Sequence, residues 1–173
     1  MTDANSTART RTSAVIAAPR EALYRAFTDP AALEVWQSPG EMTGKILEFD
    51  ARVGGGYRMS LFYPASEQPT RGKTAEREDR YTARFVELTP PMRIVQAISF
   101  DSDDPAFAGE MTMAVTFEEC GGGTEVTIAF ERIPPGISPE DNDAGTRSSL
   151  EKLASSVLSR TNAHGPVATE PRD

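Results

Sequence analysis

Arg77, Asp79 and Tyr81 fall on alternate residues. Alternate side chains of an extended segment share one face. The spacing therefore gathers a cation, a carboxylate and a phenol on one side of a strand. Such a set can anchor a ligand carboxylate or hydroxyl. It is also the one set suited to base chemistry, with Asp79 as the base and Arg77 or Tyr81 as its partner. The plainer reading is preferred: a strand end where inside meets solvent, since an inward charge must be paired or reach the mouth of a cavity. The interleaved residues Glu76, Glu78, Arg80 and Arg84 read as a solvated outer face, because carboxylates on an exposed strand do not converge for acid–base work.

The remaining reactive types point away from catalysis. Asp101, Asp103 and Asp104 lack the twelve-residue pattern, central glycine and closing glutamate of a calcium loop. Gly54-Gly55-Gly56 and Gly121-Gly122-Gly123 lack the Lys-Ser/Thr that follows a phosphate loop, so both read as hairpin turns. Cys120 is the sole cysteine, which excludes a disulfide framework and any multi-cysteine metal site. It has no histidine near it in sequence to activate it. His164 is the sole histidine and is assigned no role. No cofactor and no metal are expected.

Composition sets wider bounds. The 173 residues carry 18 Lys+Arg against 26 Asp+Glu, a formal net charge of −8. Nucleic acid and anionic membrane need clustered basic residues and are excluded as main partners. The length suits one domain with a core that needs no staples. The first residues have no apolar run of a secretory signal, and no stretch approaches a membrane span. A cytoplasmic location is expected, with a disordered tail over 1–9, a domain over 10–160 and a flexible tail over 161–173.

These residues must be positioned by a recognisable series of elements. Arg11 to Ala17 is a first strand. Pro19 opens a short helix to Thr28, and Pro30 opens a second with Leu33 and Trp36 on one face, closed by Pro39-Gly40. Alternation then predicts strands over Gly44–Ala51, Tyr57–Tyr63, Lys73–Glu87, Arg93–Phe100, Glu110–Glu118 and Thr124–Ile133. Pro64 to Arg71 is a polar loop. In the third of these strands Asp79, Tyr81 and Phe85 share the inward face. Leu150, Leu153, Ala154, Val157 and Leu158 recur at helical spacing and predict a closing helix, with Asp143 or Thr146 as its N-cap. An α+β fold follows: a curved antiparallel sheet of about six or seven strands wrapped around a long C-terminal helix.

The order of elements, and particular words in it, resemble the START-like helix-grip superfamily. Within it the chain is similar to the branch of homologues of the heat-shock-protein-90 ATPase activator. The words are Ala18-Pro19, Ala26-Phe27-Thr28-Asp29-Pro30, Leu33, Trp36, Gly54-Gly55-Gly56-Tyr57, Gly72, Val86-Glu87-Leu88-Thr89-Pro90-Pro91, Gly123-Thr124-Glu125-Val126-Thr127 and Ser149-Leu150-Glu151-Lys152-Leu153. The resemblance implies the fold and an internal cavity. The branch often carries a Gly-Trp pair at the start of the last helix; here the pair is Gly145-Thr146, which should widen the cavity mouth or make it more polar.

The candidate cavity residues are Trp36, Tyr57, Met59, Arg77, Asp79, Tyr81, Phe85, Met111, Met113, Phe117, Thr146 and Leu150. Any one of the aromatics and methionines can equally be ordinary core. As a set they lead to a non-catalytic domain that binds a small apolar or amphipathic ligand in a cavity of ~300–1,000 Å³. The second reading, implied by the resemblance, is a regulator of a heat-shock-protein-90-type ATPase with a chaperone partner. The third is a cyclase- or hydrolase-like enzyme built on Asp79. Pairing into a homodimer is left open.

Overall fold

The computed structural model describes residues 8–38, 41–64 and 78–163. Strand β1 (Ala8–Ile16) is followed by helices α1 (Arg20–Phe27) and α2 (Pro30–Trp36). Six strands come next: β2 (Thr43–Asp50), β3 (Gly56–Phe62), β4 (Glu78–Thr89), β5 (Arg93–Phe100), β6 (Met111–Cys120) and β7 (Gly123–Ile133). Helix α3 (Pro139–Ala163) is the last of the described elements. The seven strands form one antiparallel sheet in the order β1-β7-β6-β5-β4-β3-β2. This is the helix-grip arrangement, a curved sheet holding a long C-terminal helix.

Local chemistry sets the element ends. Pro30 takes the first turn of α2, where its missing N–H costs nothing, and the Asp29 carboxylate accepts from the Ala31 N–H at 3.1 Å. At the β6–β7 hairpin, Gly123 has φ +133°, and a Cβ there would lie 2.2 Å from the Ile16 carbonyl oxygen. Only glycine lets β7 begin so close to the end of β1.

The alternation in β4 is realised as read: Asp79, Tyr81, Ala83 and Phe85 are buried, while Arg84 and Val86 are exposed. The core is continuous from α1 and α2 across the sheet to α3, with Leu23, Phe27, Leu33, Trp36, Ile94 and Leu153 among its buried members.

Three expectations are corrected. The last helix begins at Pro139, well before Asp143 or Thr146. Ser138 supplies the cap, its hydroxyl accepting from the Asp141 N–H at 3.1 Å, and Pro139 suits a first turn. Leu158 is 36% exposed rather than buried, because the stripe that meets the sheet is the narrower Leu150, Leu153, Val157 line, with Ala154 half-buried. In β2 the pairing with β3 shifts register between Ile46 and Glu48. An irregularity of this kind interrupts strict alternation, so Ile46 and Phe49 pack on the core while Leu47 is 43% exposed.

Strand β1 opens at Ala8 and α3 runs on to Ala163. Arg77, His164, the Pro39-Gly40 closure, residues 65–77 of the expected loop and strand, and the outer parts of both tails lie outside the described residues.

Candidate functional site

A pocket of about 260 Å³ lies between the inner face of the sheet and the first turns of α3. Its sheet wall comes from Leu61 on β3, Asp79 and Tyr81 on β4, Ile98 and Phe100 on β5, Met111 and Met113 on β6, and Ile128 and Phe130 on β7. Trp36 and Gln37, at the end of α2, form one side. Gly136 and Ile137 lead into the helix wall of Asp141, Asn142, Gly145, Thr146 and Ser149. The volume is below the range expected from sequence.

Each side is held by a specific bond. The Trp36 indole Nε1 donates to the Ala26 carbonyl at 2.8 Å, and its ring sits 4.4 Å from that of Phe27. Helix α3 is tied to the end of α2 by the Ser149 hydroxyl, which donates to the Gln37 carbonyl at 3.1 Å. Lys152 Nζ donates to the Ser38 carbonyl at 2.5 Å. Burial lowers the Lys152 ammonium below its ordinary pKa. On the other side α3 is tied to β1. Asn142 Nδ2 donates to the Thr10 hydroxyl at 2.9 Å, and the Thr12 hydroxyl donates to Asp143 at 2.5 Å.

The polar groups of the wall are few and placed. Asp79 is 2% exposed and accepts from the Tyr63 hydroxyl at 2.8 Å. The Tyr81 hydroxyl donates to the Met59 sulfur at 3.2 Å, and burial beside Tyr57 raises its pKa well above the ordinary phenol value. The Thr146 hydroxyl bonds back to the Asn142 carbonyl at 2.7 Å, so this side chain narrows the wall little. Behind the wall, the Tyr57 hydroxyl lies 3.2 Å from Gln37 Nε2 and 3.2 Å from Gln96 Oε1. Burial pushes the Tyr57 phenol up to about 12.

Of the residues expected at the cavity, the structure brings together Trp36, Asp79, Tyr81, Met111, Met113 and Thr146. Tyr57, Met59, Phe85, Phe117 and Leu150 are buried in the surrounding core instead. Phe117 meets Phe27 and Tyr24 edge-on at 5.4 and 5.8 Å, and Phe85 packs 5.9 Å from Tyr57. Sequence reasoning missed further lining residues, among them Gln37, Leu61, Ile98, Phe100, Ile128, Asp141, Asn142 and Ser149. Ile98 and Phe100 carry the period of the β5 inward face, which was available as a signal. Asp141 and Asn142 were hidden by the late start assigned to the last helix.

Arg77, the cation of the alternate set, falls outside the described residues. Among the described residues, no group of three His, Cys, Asp or Glu side chains is arranged to hold a metal ion. Also among them, no helix is long and apolar enough to cross a membrane.

The family model described as "Activator of Hsp90 ATPase homolog 1-like protein" matches residues 17–157. The chain belongs to this family. The match spans β2 to β7, both short helices and most of α3, and so includes every residue that lines the pocket, while β1 precedes it. A crystal structure of a protein from Chromobacterium violaceum is 37% identical, with 86% of this chain and 96% of that one covered and a TM-score of 0.75. Two further structures share the fold. One is a protein from Mycobacterium smegmatis, 20% identical, covering 91% and 92% with a TM-score of 0.67. The other is an activator-homologue-like protein from Aeromonas hydrophila, 18% identical, covering 92% and 99% with a TM-score of 0.67. No curated protein matches the chain.

Proposed function

We propose that this family member is a non-catalytic binding domain, holding one small apolar or amphipathic molecule between the sheet and α3. The observation that carries this reading is the pocket wall itself: Trp36, Ile98, Phe100, Met111, Met113 and Phe130 surround a space of about 260 Å³. Ligand sites are typically concave, mostly apolar and marked by a few placed polar groups. Methionine side chains adapt to varied shapes, which suits a pocket wall made partly of Met111 and Met113.

Thermal shift and native mass spectrometry against a panel of small apolar and amphipathic compounds test it. A true ligand at a hundred times its Kd stabilises the fold by about 2.7 kcal/mol. The control is Thr146→Trp, which places an indole on the helix wall. Binding to the wild type and not to this variant is expected. A panel in which every compound treats the two proteins alike would remove the reading.

A chaperone role is the second reading, and it is favoured by the family match alone. An acidic domain can dock on a basic patch of a partner, with complementary charge mainly speeding encounter. The measurement is the ATPase rate of a heat-shock-protein-90-type chaperone with saturating protein, and an unchanged rate dismisses it.

A further inference from the structure

Helix α3 presents one face to the pocket. Its lining residues are Asp141, Asn142, Gly145, Thr146 and Ser149. Asp141, Gly145 and Ser149 are spaced by four, as are Asn142 and Thr146, so all five lie along one stripe of the helix. Asp141 stands in the first turn, and Gly145, one turn on, carries no side chain. The stripe therefore leaves room between a carboxylate and a hydroxyl.

The donors of the wall are spent on the protein. The Thr146 hydroxyl donates to the Asn142 carbonyl, Ser149 to the Gln37 carbonyl and Tyr81 to the Met59 sulfur. Asn142 Nδ2 donates to Thr10, and the Trp36 indole to Ala26. A hydroxyl that donates keeps its lone pairs, so what the wall has left to offer is mainly acceptors. The Asp141 N–H donates to Ser138, but among the described residues its carboxylate has no hydrogen bond or ion pair. The described lining residues include two carboxylates, Asp79 and Asp141, and neither Lys nor Arg. On α3, Arg147 pairs with Asp143 and Lys152 bonds the Ser38 carbonyl.

We propose that the ligand of this pocket carries a protonated amine on a compact apolar body, with the ammonium seated between Asp141 and Ser149 where Gly145 leaves room. This rests on the pocket reading above. An ammonium brings donors and no acceptor, which matches a wall of the opposite kind. Its charge needs a paired anion once it leaves water, and Asp141 supplies one. An apolar cavity of about 150 Å³ accepts benzene, so a pocket of about 260 Å³ suits a body of about two fused rings. Met111 and Met113 adapt the opposite wall to that body.

The test compares β-aminotetralin with the hydrocarbon tetralin and the carboxylic acid of the same ring system, by calorimetry at neutral pH. The proteins are wild type, Asp141→Asn and Thr146→Trp. The wild type should bind the amine about tenfold more tightly than the hydrocarbon, and the acid most weakly. Asp141→Asn should bring the amine close to the hydrocarbon, with tetralin affinity unchanged. Thr146→Trp should lose all three. Equal amine and hydrocarbon affinity in the wild type, both lost in Thr146→Trp, overturns the amine assignment and leaves the pocket reading standing. An amine preference that survives Asp141→Asn, or an acid that binds more tightly than the amine, also overturns it. Amine binding that Thr146→Trp does not reduce lies outside the pocket and overturns it as well. A wild type that takes none of the three at their solubility limits overturns both readings.

Discussion

The indole nitrogen of Trp36 donates to the carbonyl of Ala26 at 2.8 Å, inside the core. This bond joins the end of α2 to the last turn of α1 and sets the angle at which Trp36 faces the pocket. Trp36→Phe would leave the Ala26 carbonyl without that donor and open a void beside Phe27. An unmet buried group costs about 1–3 kcal/mol, and lost ring volume adds a cavity term. The expected loss is about 3 kcal/mol, read from urea denaturation.

Tyr57 should make the fold sensitive to alkali. Below pH 10 the phenol is protonated in both folded and unfolded chains, and its contribution is fully present. Above that the unfolded phenol ionises while the folded one holds its proton to about pH 12. Stability therefore falls as pH rises through this window, by about 3 kcal/mol from a shift of this size. Tyr81 shifts in the same direction and adds to the slope. Tyr57→Phe should flatten the decline between pH 10 and 12, as measured by chemical denaturation at stepped pH.

Asp143 carries the opposite dependence. The Thr12 hydroxyl, then Arg147, hold its carboxyl below the ordinary value of 3.8. Its contribution is present above that value and is lost as pH falls through the lower folded pKa. Thr12→Val should return the Asp143 titration toward the ordinary range. Carboxyl chemical shifts followed by NMR report this directly, and an unmoved titration would mean the hydroxyl is not the cause.

Gly123→Ala should be severe. The added Cβ would sit 2.2 Å from the Ile16 carbonyl oxygen and 2.8 Å from Ala17 Cα, and φ is +133°. Both contacts are backbone and cannot swing aside, and the conformation itself is strained for a side chain. A loss of about 3 kcal/mol or more is expected, with amide exchange accelerated first where β1 pairs with the start of β7.

Gln96→Leu should be stabilising by about 1 kcal/mol, because an apolar group of similar shape removes an unmet donor. Tyr57 retains a partner in the variant, since Gln37 Oε1 lies 3.3 Å from its hydroxyl. Urea denaturation of the variant beside the wild type measures the difference.

Much of the architecture was legible because its signals are local. Period-two runs such as Asp79-Tyr81-Ala83-Phe85 state which face of β4 is buried before any partner strand is known. Proline and glycine mark the breaks, and the Leu150-Leu153-Val157 spacing announces the closing helix. The start of that helix was less legible, because Ser138-Pro139 follows a run of prolines and glycine that reads equally well as loop.

The sequence alone determined the order of elements, the inward faces of most strands and the pairing of an antiparallel sheet with a terminal helix. Only the tertiary structure decided which inward residues face open space. Tyr57 and Tyr81 have the same strand parity, yet one lies in the core and the other on the pocket wall. The difference comes from sheet curvature, cross-strand register and where α3 presses on the sheet, all set by contacts distant in sequence. The same holds for Gln96: its type and parity are visible in the chain, but its contact with the Tyr57 hydroxyl arises only when β3 and β5 meet in the core.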